Sequence, residues 1–101
     1  MTPRLEADWT QLSGFQRDLL VAISWLELEG ETCYGLAIKR AIEEVYSDPV
    51  THGRLYQNLD ELDEQRLIEK RELDRRTNEY VMTEKGTELL RTHAELLQSL
   101  L

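Results

Sequence analysis

The sequence has few of the residues that build disulfides, metal centres or membrane spans. Its single cysteine, Cys33, excludes an intramolecular disulfide and any zinc site made of several cysteines. No apolar run approaches the ~20 residues that a membrane-spanning helix needs, and the first residues lack the apolar stretch of a secretory signal. We therefore expect a cytoplasmic protein that does not contact membranes. A length of 101 residues allows one small domain.

Basic residues are also scarce in this chain. Lys and Arg number 12 against 20 Asp and Glu, which gives a net charge of -8. A surface that binds nucleic acid is normally basic, because it has to neutralise phosphates. The total charge alone therefore argues against a nucleic-acid partner, and the order of the residues has to decide the question.

Only two prolines interrupt the chain, Pro3 and Pro49, so long helices are permitted between them. Ser13 and Gln16 form a capping box at the start of a first helix, which Gly30 ends. A second helix begins at Thr32 or Cys33 and is broken at Ser47-Asp48-Pro49. The predicted buried stripes are Phe15, Leu19, Ile23 and Leu26 in the first helix and Ile38, Ile42 and Val45 in the second.

A third helix is predicted from about Thr51 to Gln65. Leu55, Leu59 and Leu62 mark its inner face. At 100° per residue, Gly53, Arg54, Gln57 and Glu61 point away from those leucines, while Tyr56 and Asn58 lie on the flanks. This helix thus combines a leucine face with a face of hydrogen-bonding groups.

After the third helix, the spacing of the hydrophobic residues changes from a helical period to the period of a strand. Residues 67–73 and 79–82 read as two strands, joined by the polar turn Asp74-Arg75-Arg76-Thr77-Asn78, in which Asn78 or Asp74 takes a positive φ. The result is a β-hairpin with a basic tip. Thr83 caps a last, leucine-rich helix.

Three helices, a hairpin and a final helix make a mainly α winged helix-turn-helix fold. We expect residues 1–11 to form an irregular or short helical arm, residues 12–83 the winged-helix domain, and residues 84–101 a dimerisation helix.

Four short motifs, in this order, resemble the PadR family of transcriptional regulators. They are Tyr34-Gly35-Leu36-Ala37-Ile38, the segment 52–62, Arg75-Arg76-Thr77-Asn78-Glu79-Tyr80 and Thr83-Glu84-Lys85-Gly86. The segment 12–20 resembles the haloarchaeal or haloarchaeal-virus branch. The resemblance covers about residues 12–90, and it implies a DNA-binding regulator rather than an enzyme. One departure is Arg66, where the family usually has glycine at a left-handed helix end.

The third helix is the candidate recognition helix and would enter the major groove of DNA. Arg54 suits guanine, and Gln57 or Asn58 suits adenine. The wing would reach a minor groove or phosphates, and Lys70 and Arg71 must face opposite sides of the hairpin. The predicted DNA-binding residues are His52, Gly53, Arg54, Tyr56, Gln57 and Asn58 in the helix and Lys70, Arg71, Arg75, Arg76, Thr77 and Asn78 in the wing. Ser13 and Lys39 are candidate phosphate contacts.

The last helix carries two adjacent apolar stripes, which is more apolar surface than so small a domain buries alone. One stripe covers the core and the other forms a homodimer seam, joined by Trp9 and Leu5 from the arm. The predicted interface residues are Leu90, His93, Leu96, Leu97, Leu100, Leu101 and Trp9.

Other chemistry finds little support in the sequence. His52 and His93 are far apart and have no nearby ligand set, so neither a metal nor another cofactor is expected. No phosphate loop or nucleophile elbow is present. Cys33 at a helix start could have a lowered pKa and sense redox state, or could be a small half-buried residue.

The sequence therefore favours a homodimeric repressor that binds a palindromic operator on double-stranded DNA. The acidic surface fits high salt, where it would hold hydrated cations near the DNA. The alternative is an acidic winged-helix module that binds protein and not DNA; Glu61, Asp60 and Asp74 on the recognition face would favour it. The operator, the inducing signal and a chromosomal or viral origin are not determined by the sequence.

Overall fold

The computed structural model describes residues 7–101, so Leu5 and its predicted place in the dimer seam lie outside the described residues. The chain forms a mainly helical fold with one two-stranded antiparallel sheet. Its elements are α1 (Ala7–Thr10), α2 (Gly14–Leu28), α3 (Gly35–Tyr46), α4 (His52–Glu64), β1 (Ile68–Glu72), β2 (Asn78–Met82) and α5 (Glu84–Ser99). The predicted winged helix-turn-helix architecture is confirmed.

The first predicted helix is α2, and its capping box is present. The Ser13 side chain accepts from the Gln16 N–H, and the Gln16 side chain accepts from the Ser13 N–H. Gly30, at a φ of 77°, follows the last turn and ends the helix as predicted.

The second predicted helix, α3, starts later than the sequence suggested. Thr32 and Cys33 lie outside the helix. The Tyr34 N–H donates to the Thr32 carbonyl, the Cys33 carbonyl accepts from the Tyr80 N–H at 3.0 Å, and Tyr34 bridges to Glu79 in β2. Tyr34 is therefore the N-cap residue. The prediction for Val45 is also wrong: this side chain is 75% exposed, at the edge of a surface groove that Val21 and Trp25 border.

The third predicted helix, α4, has the predicted limits, with Thr51 as its N-cap residue. Leu55, Leu59 and Leu62 are completely buried. Arg66 follows at a φ of 63°, so the helix ends in the left-handed conformation despite the missing glycine.

The hairpin pairs Ile68 with Met82 at its base and Glu72 with Asn78 at its end. The prediction of a positive φ at Asp74 or Asn78 is wrong. Instead, the N–H groups of Leu73 and Asp74 both donate to the Thr77 carbonyl, and the Asp74 carboxylate accepts from the Arg76 N–H. The side chain of Asp74 thus closes the turn without a left-handed residue.

The last helix, α5, begins at its predicted cap, Thr83, and packs tightly on the wing. A Cβ atom at Gly86 would collide with the Leu67 carbonyl, so only glycine permits this approach. Leu89 is buried in the core, and Leu90 packs against it. Farther along, Leu97 is 50% exposed and Leu100 is 72% exposed.

Candidate nucleic-acid interface

The outer face of α4 holds most of the predicted base-reading residues. His52, Gly53 and Gln57 are exposed there, and the His52 and Tyr56 rings lie 4.4 Å apart between their centroids. Tyr56 is only half-buried, and its phenol packs where a Cβ atom at residue 35 would otherwise sit. Gly35 is therefore required for the close approach of α3 to α4.

Gln16 orients two side chains of α4 from the neighbouring helix, a role that the sequence analysis missed. Its side chain is buried, and its Nε2 donates to Asn58 Oδ1 at 3.1 Å and to Glu61 Oε2 at 2.6 Å. Asn58 Nδ2 also donates to the Arg54 carbonyl at 2.7 Å. The signal was available in part, since a capping-box glutamine accepts through its oxygen and keeps two N–H donors for another partner.

These contacts revise the predicted outer face of α4. Glu61 does not point into solvent but turns towards α2 to accept from Gln16. The Arg54 guanidinium lies over the Phe15 ring, 4.0 Å from its centroid, and so also rests on α2. Asn58 has both ends of its amide engaged. Gln57 is the exposed amide that remains directed away from the core.

The wing presents the predicted basic tip. Arg75 and Arg76 are exposed, and no carboxylate lies within 4.0 Å of either guanidinium in the part of the chain that the structure describes. Asp74 accepts from the Arg76 N–H, and this hydrogen bond lowers the pKa of the Asp74 carboxyl. Thr77 and Asn78 are half-buried beside them.

Lys70 and Arg71 face opposite sides of the hairpin, as strand geometry requires. Lys70 lies on the α4 side, where its Nζ is 3.4 Å from Asp60 Oδ1 and its N–H donates to Asp63. Arg71 instead pairs with Glu69 at 3.1 Å. The lysine is thus the member of the pair that lies beside α4, the candidate recognition helix.

The carboxylates around this face are mostly occupied by the protein itself. Asp60 pairs with Lys70, Glu61 accepts from Gln16, and Asp74 holds the wing turn. The basic tip, in contrast, has no acidic partner among residues 7–101. This arrangement favours an anionic ligand over the alternative of a protein-binding acidic face.

Comparison with known proteins agrees with this geometry. Residues 12–92 match the model of the transcriptional regulator PadR-like family. The chain belongs to the PadR-like family. This PadR-like protein is thus a winged-helix transcription regulator and not an enzyme. A search of curated protein sequences gave no match.

Among solved structures, the PadR-like chain is similar to a haloarchaeal regulator. It is similar to RosR of Halobacterium salinarum, in the complex structure of hsRosR-S1. The two chains share 44% sequence identity, the match covers 92% of this chain and 79% of that one, and the TM-score is 0.82. A RosR structure grown from NaBr shows 45% sequence identity over 88% of this chain and 76% of that one, with a TM-score of 0.79. The chain also shares its fold with F93 from STIV, a winged-helix DNA-binding protein, at 17% identity over 83% and 90% and a TM-score of 0.61.

The remaining predicted contacts of this PadR-like regulator, Ser13 and Lys39, lie before α2 and on α3. Ser13 is exposed at the start of α2, and its hydroxyl oxygen accepts a hydrogen bond from the Gln16 N–H. Lys39 is half-buried on α3 and lies 3.9 Å from Glu43. A phosphate contact by either residue therefore stays a prediction.

Cys33 does not fit the proposed redox sensor. The thiol is buried and precedes α3 rather than starting it. Burial, together with the nearby charges of Glu27, Glu79 and Glu31, raises its pKa to about 11. The structure therefore supports the other alternative for Cys33, a small buried residue, because the thiol has a desolvated, acidic environment instead of a helix N-terminus.

The predicted dimer residues of the regulator divide into two groups. Leu97, Leu100 and Leu101 are exposed, and Leu90, His93 and Leu96 are half-buried. Trp9 differs from the prediction, because it is only 5% exposed in a single chain and stacks on His93 at 4.1 Å. It is a core residue that offers a partner little surface.

No helix among the described residues is long and apolar enough to cross a membrane, and no metal-binding cluster of three or more His, Cys, Asp or Glu occurs within residues 7–101.

Proposed function

We propose that this PadR-like regulator is a homodimeric repressor that binds a palindromic operator in high salt. The observation that carries the proposal is the pairing of the exposed face of α4 with a wing tip whose two arginines have no acidic partner among the described residues. Nucleic-acid phosphates would supply the missing negative charge.

The two elements would divide the work of recognition. Helix α4 enters the major groove, where Gln57 reads a base edge and Arg54 moves off the Phe15 ring to reach another. The wing places Arg75 and Arg76 in the adjacent minor groove, with Thr77 and Asn78 behind them. Asn58, held by Gln16, positions the helix rather than reading a base.

The dimer would form through residues 84–101, attached to the winged-helix domain of residues 12–83. Exposed leucines at the end of α5 leave an apolar surface that a second copy can cover. A surface groove between α2 and α5, lined in part by Val21, Leu90, Ala94 and Leu97, continues this surface. Two linked domains would then match two half-sites about one helical turn of DNA apart.

The acidic surface is assigned a role in high salt. At about 1 M salt, Coulomb interactions between exposed charges are screened within about 3 Å, so a basic surface attracts DNA only weakly. Carboxylates near the DNA would instead hold hydrated cations against the phosphates. The similarity to RosR of Halobacterium salinarum supports a haloarchaeal setting.

Footprinting on the DNA upstream of the protein's own gene, in molar KCl, tests this function. We expect protection of two symmetric half-sites, and less transcript from that promoter when the protein is added to a transcription reaction. An increase in transcript would make the protein an activator. Absence of protection, together with no binding to any duplex selected from a random pool, would leave the protein-binding module as the better explanation.

A further inference from the structure

A surface groove with a volume of about 400 Å³ lies between α2 and α3. The exposed side chains of Val21 and Trp25 border it from α2, and that of Val45 borders it from α3. Ala22 and Ile42 are buried at its floor. The predicted DNA-binding and dimer residues include none of these side chains, so neither contact explains why Trp25 is exposed.

The charged groups of this groove are carboxylates. Asp18 lines it from α2 and Glu44 from α3, whereas no Lys, Arg or His among the described residues does. The Tyr46 hydroxyl donates to Asp18 Oδ2 at 2.5 Å, which orients this carboxylate. The Glu44 carboxylate is exposed and has no ion pair in the described part of the chain. The groove therefore favours a positively charged occupant.

We propose that this groove binds a small organic cation with an apolar body, of the arylalkylammonium class. The apolar body would lie on Val21 and Val45, and the ammonium group would pair with Asp18 or Glu44 beside the Trp25 indole. An indole ring attracts a cation electrostatically. Apolar walls with a few polar groups are typical of ligand sites, which have volumes of ~300–1,000 Å³.

High salt favours such an amphipathic cation over an inorganic one. Screening weakens the attraction of both carboxylates for any cation, and a potassium ion has no apolar surface to bury against Val21 and Val45. Burial of apolar surface does not depend on Coulomb attraction. The apolar body would therefore supply most of the affinity, and the charge would select the cation over a neutral molecule of the same shape.

A protein partner fits this groove less well. A stable protein interface takes about 20–30 residues on each side, whereas the large exposed apolar side chains here are those of Val21, Trp25 and Val45. A second copy is the competing occupant, because Val21 also lines the groove that continues the proposed dimer surface. The last turn of α5, however, has no basic residue. A second copy would thus bury leucines beside carboxylates that it cannot pair.

NMR titration in molar KCl tests the proposal with 4-phenylbutylammonium as the probe. Neutral 4-phenylbutanol and anionic 4-phenylbutanoate serve as comparisons. The chain has two indole N–H signals, and Trp25→Phe identifies the one from the exposed ring. We expect a saturable shift of this signal, with the ammonium binding about two- to fivefold more tightly than the alcohol, the range for an exposed charge pair. Equal affinities of the three probes, or no shift with any of them, would overturn the proposal.

Two double variants test the carboxylates. Asp18→Asn with Glu44→Gln removes both charges but keeps an oxygen that accepts from the Tyr46 hydroxyl, so the preference for the ammonium over the alcohol should disappear. Glu72→Gln with Glu95→Gln is the matched control, since it removes two exposed charges outside the groove and should keep the preference. The same result for both double variants, whether the preference is kept or lost, would overturn the proposal.

A variant of the proposed seam separates the ligand from a second copy. Leu97→Asp places a charge among the exposed leucines of α5, and the ammonium should bind this variant and wild type equally. Binding to Leu97→Asp alone would mean that a second copy covers the groove in wild type, which would overturn the proposal. These titrations contain no DNA, so their failure would leave the proposed function standing.

Discussion

Arg66 shows how a single residue can tolerate backbone strain when its surroundings require that conformation. Its φ of 63° lies in the left-handed region, which disfavours residues with a Cβ atom. The Leu67 N–H donates to the Leu62 carbonyl, and the Arg66 carbonyl accepts from Thr83 at 2.6 Å. The helix end and the cap of α5 thus both depend on this conformation.

Arg66→Gly should therefore stabilise the protein by about 1 kcal/mol, because glycine removes the Cβ penalty. Thermal unfolding in molar KCl, at equal protein concentrations, measures the difference. Arg66→Ala is the control: it removes the same charge but keeps the Cβ atom, so it should be no more stable than wild type. Equal stability of the glycine and alanine variants would show that the left-handed residue carries no strain.

At the scale of elements, acidic side chains position the parts of the helix-turn-helix. Glu27 on α2 accepts from the Met82 N–H in β2, and Glu43 on α3 accepts from the Val50 N–H before α4. Asp63 accepts from the Lys70 N–H in β1. These three carboxylates thus satisfy main-chain donors between elements, which the sequence alone did not indicate.

We expect α4 to read the bases and the wing to position the protein on the DNA, so variants in the two elements should have different effects on binding. Gln57→Ala should cost about 1–3 kcal/mol on the preferred operator and relax base preference at one position per half-site. Arg76→Ala should weaken binding to all operator variants more evenly, because in the proposed complex the wing contacts the backbone or a minor groove.

Both variants are compared with wild type on a panel of operator duplexes with single base changes. Arg91→Ala, which removes an arginine paired with Glu88 on α5, is the matched control and should bind the panel like wild type. An unchanged base preference in Gln57→Ala would show that this exposed amide does not read DNA.

At the scale of the whole molecule, the dimer seam is the first feature to test. Leu97→Asp places a charge among the exposed leucines of α5 and should give a monomer that binds the operator weakly, since two linked domains are needed for two half-sites. Leu28→Asp alters a leucine that is 86% exposed at the end of α2, outside the seam, and should remain a dimer. Sedimentation that finds an intact dimer in Leu97→Asp would reject this seam.

The net charge of -8 leads to a prediction about salt. A basic regulator releases cations from DNA, with a slope of about -0.9 per phosphate neutralised. This protein should take up cations between its carboxylates and the phosphates, so its operator affinity should stay level or rise up to molar KCl. A steep loss of affinity with salt would contradict the high-salt explanation.

Two double variants locate the carboxylates that bind these cations. Asp60 and Asp74 each have a protein partner but remain exposed to solvent. Asp60→Asn with Asp74→Asn removes two charges beside the candidate recognition face and should restore a falling slope. Glu88→Gln with Glu95→Gln removes two charges on α5 and should leave the slope unchanged. Equal slopes that both fall relative to wild type would show that the net charge, and not its position, sets the salt response, and two unchanged slopes would show that these carboxylates take up no cations.

Much of this fold was determined by the sequence itself. The structure contains the leucine period of α4, its start near Thr51, the capping box of α2, the cap Thr83 and the change to strand period where they were predicted. These are local features, because helix period, caps and strand alternation depend on residues a few positions apart. The family followed from short motifs in a fixed order, and the match over residues 12–92 confirms it.

Contacts between distant segments were decided only by the tertiary structure. Gln16 and Asn58 are 42 residues apart, and their hydrogen bond engages an amide that the sequence predicted to read a base. The Tyr80 N–H donates to the Cys33 carbonyl, and α3 begins only after this residue. Trp9 belongs to the buried core, and its ring stacks on His93 from the other end of the chain. A sequence pattern shows which face of a helix is polar, but which partner satisfies each polar or aromatic group depends on elements that meet only after folding.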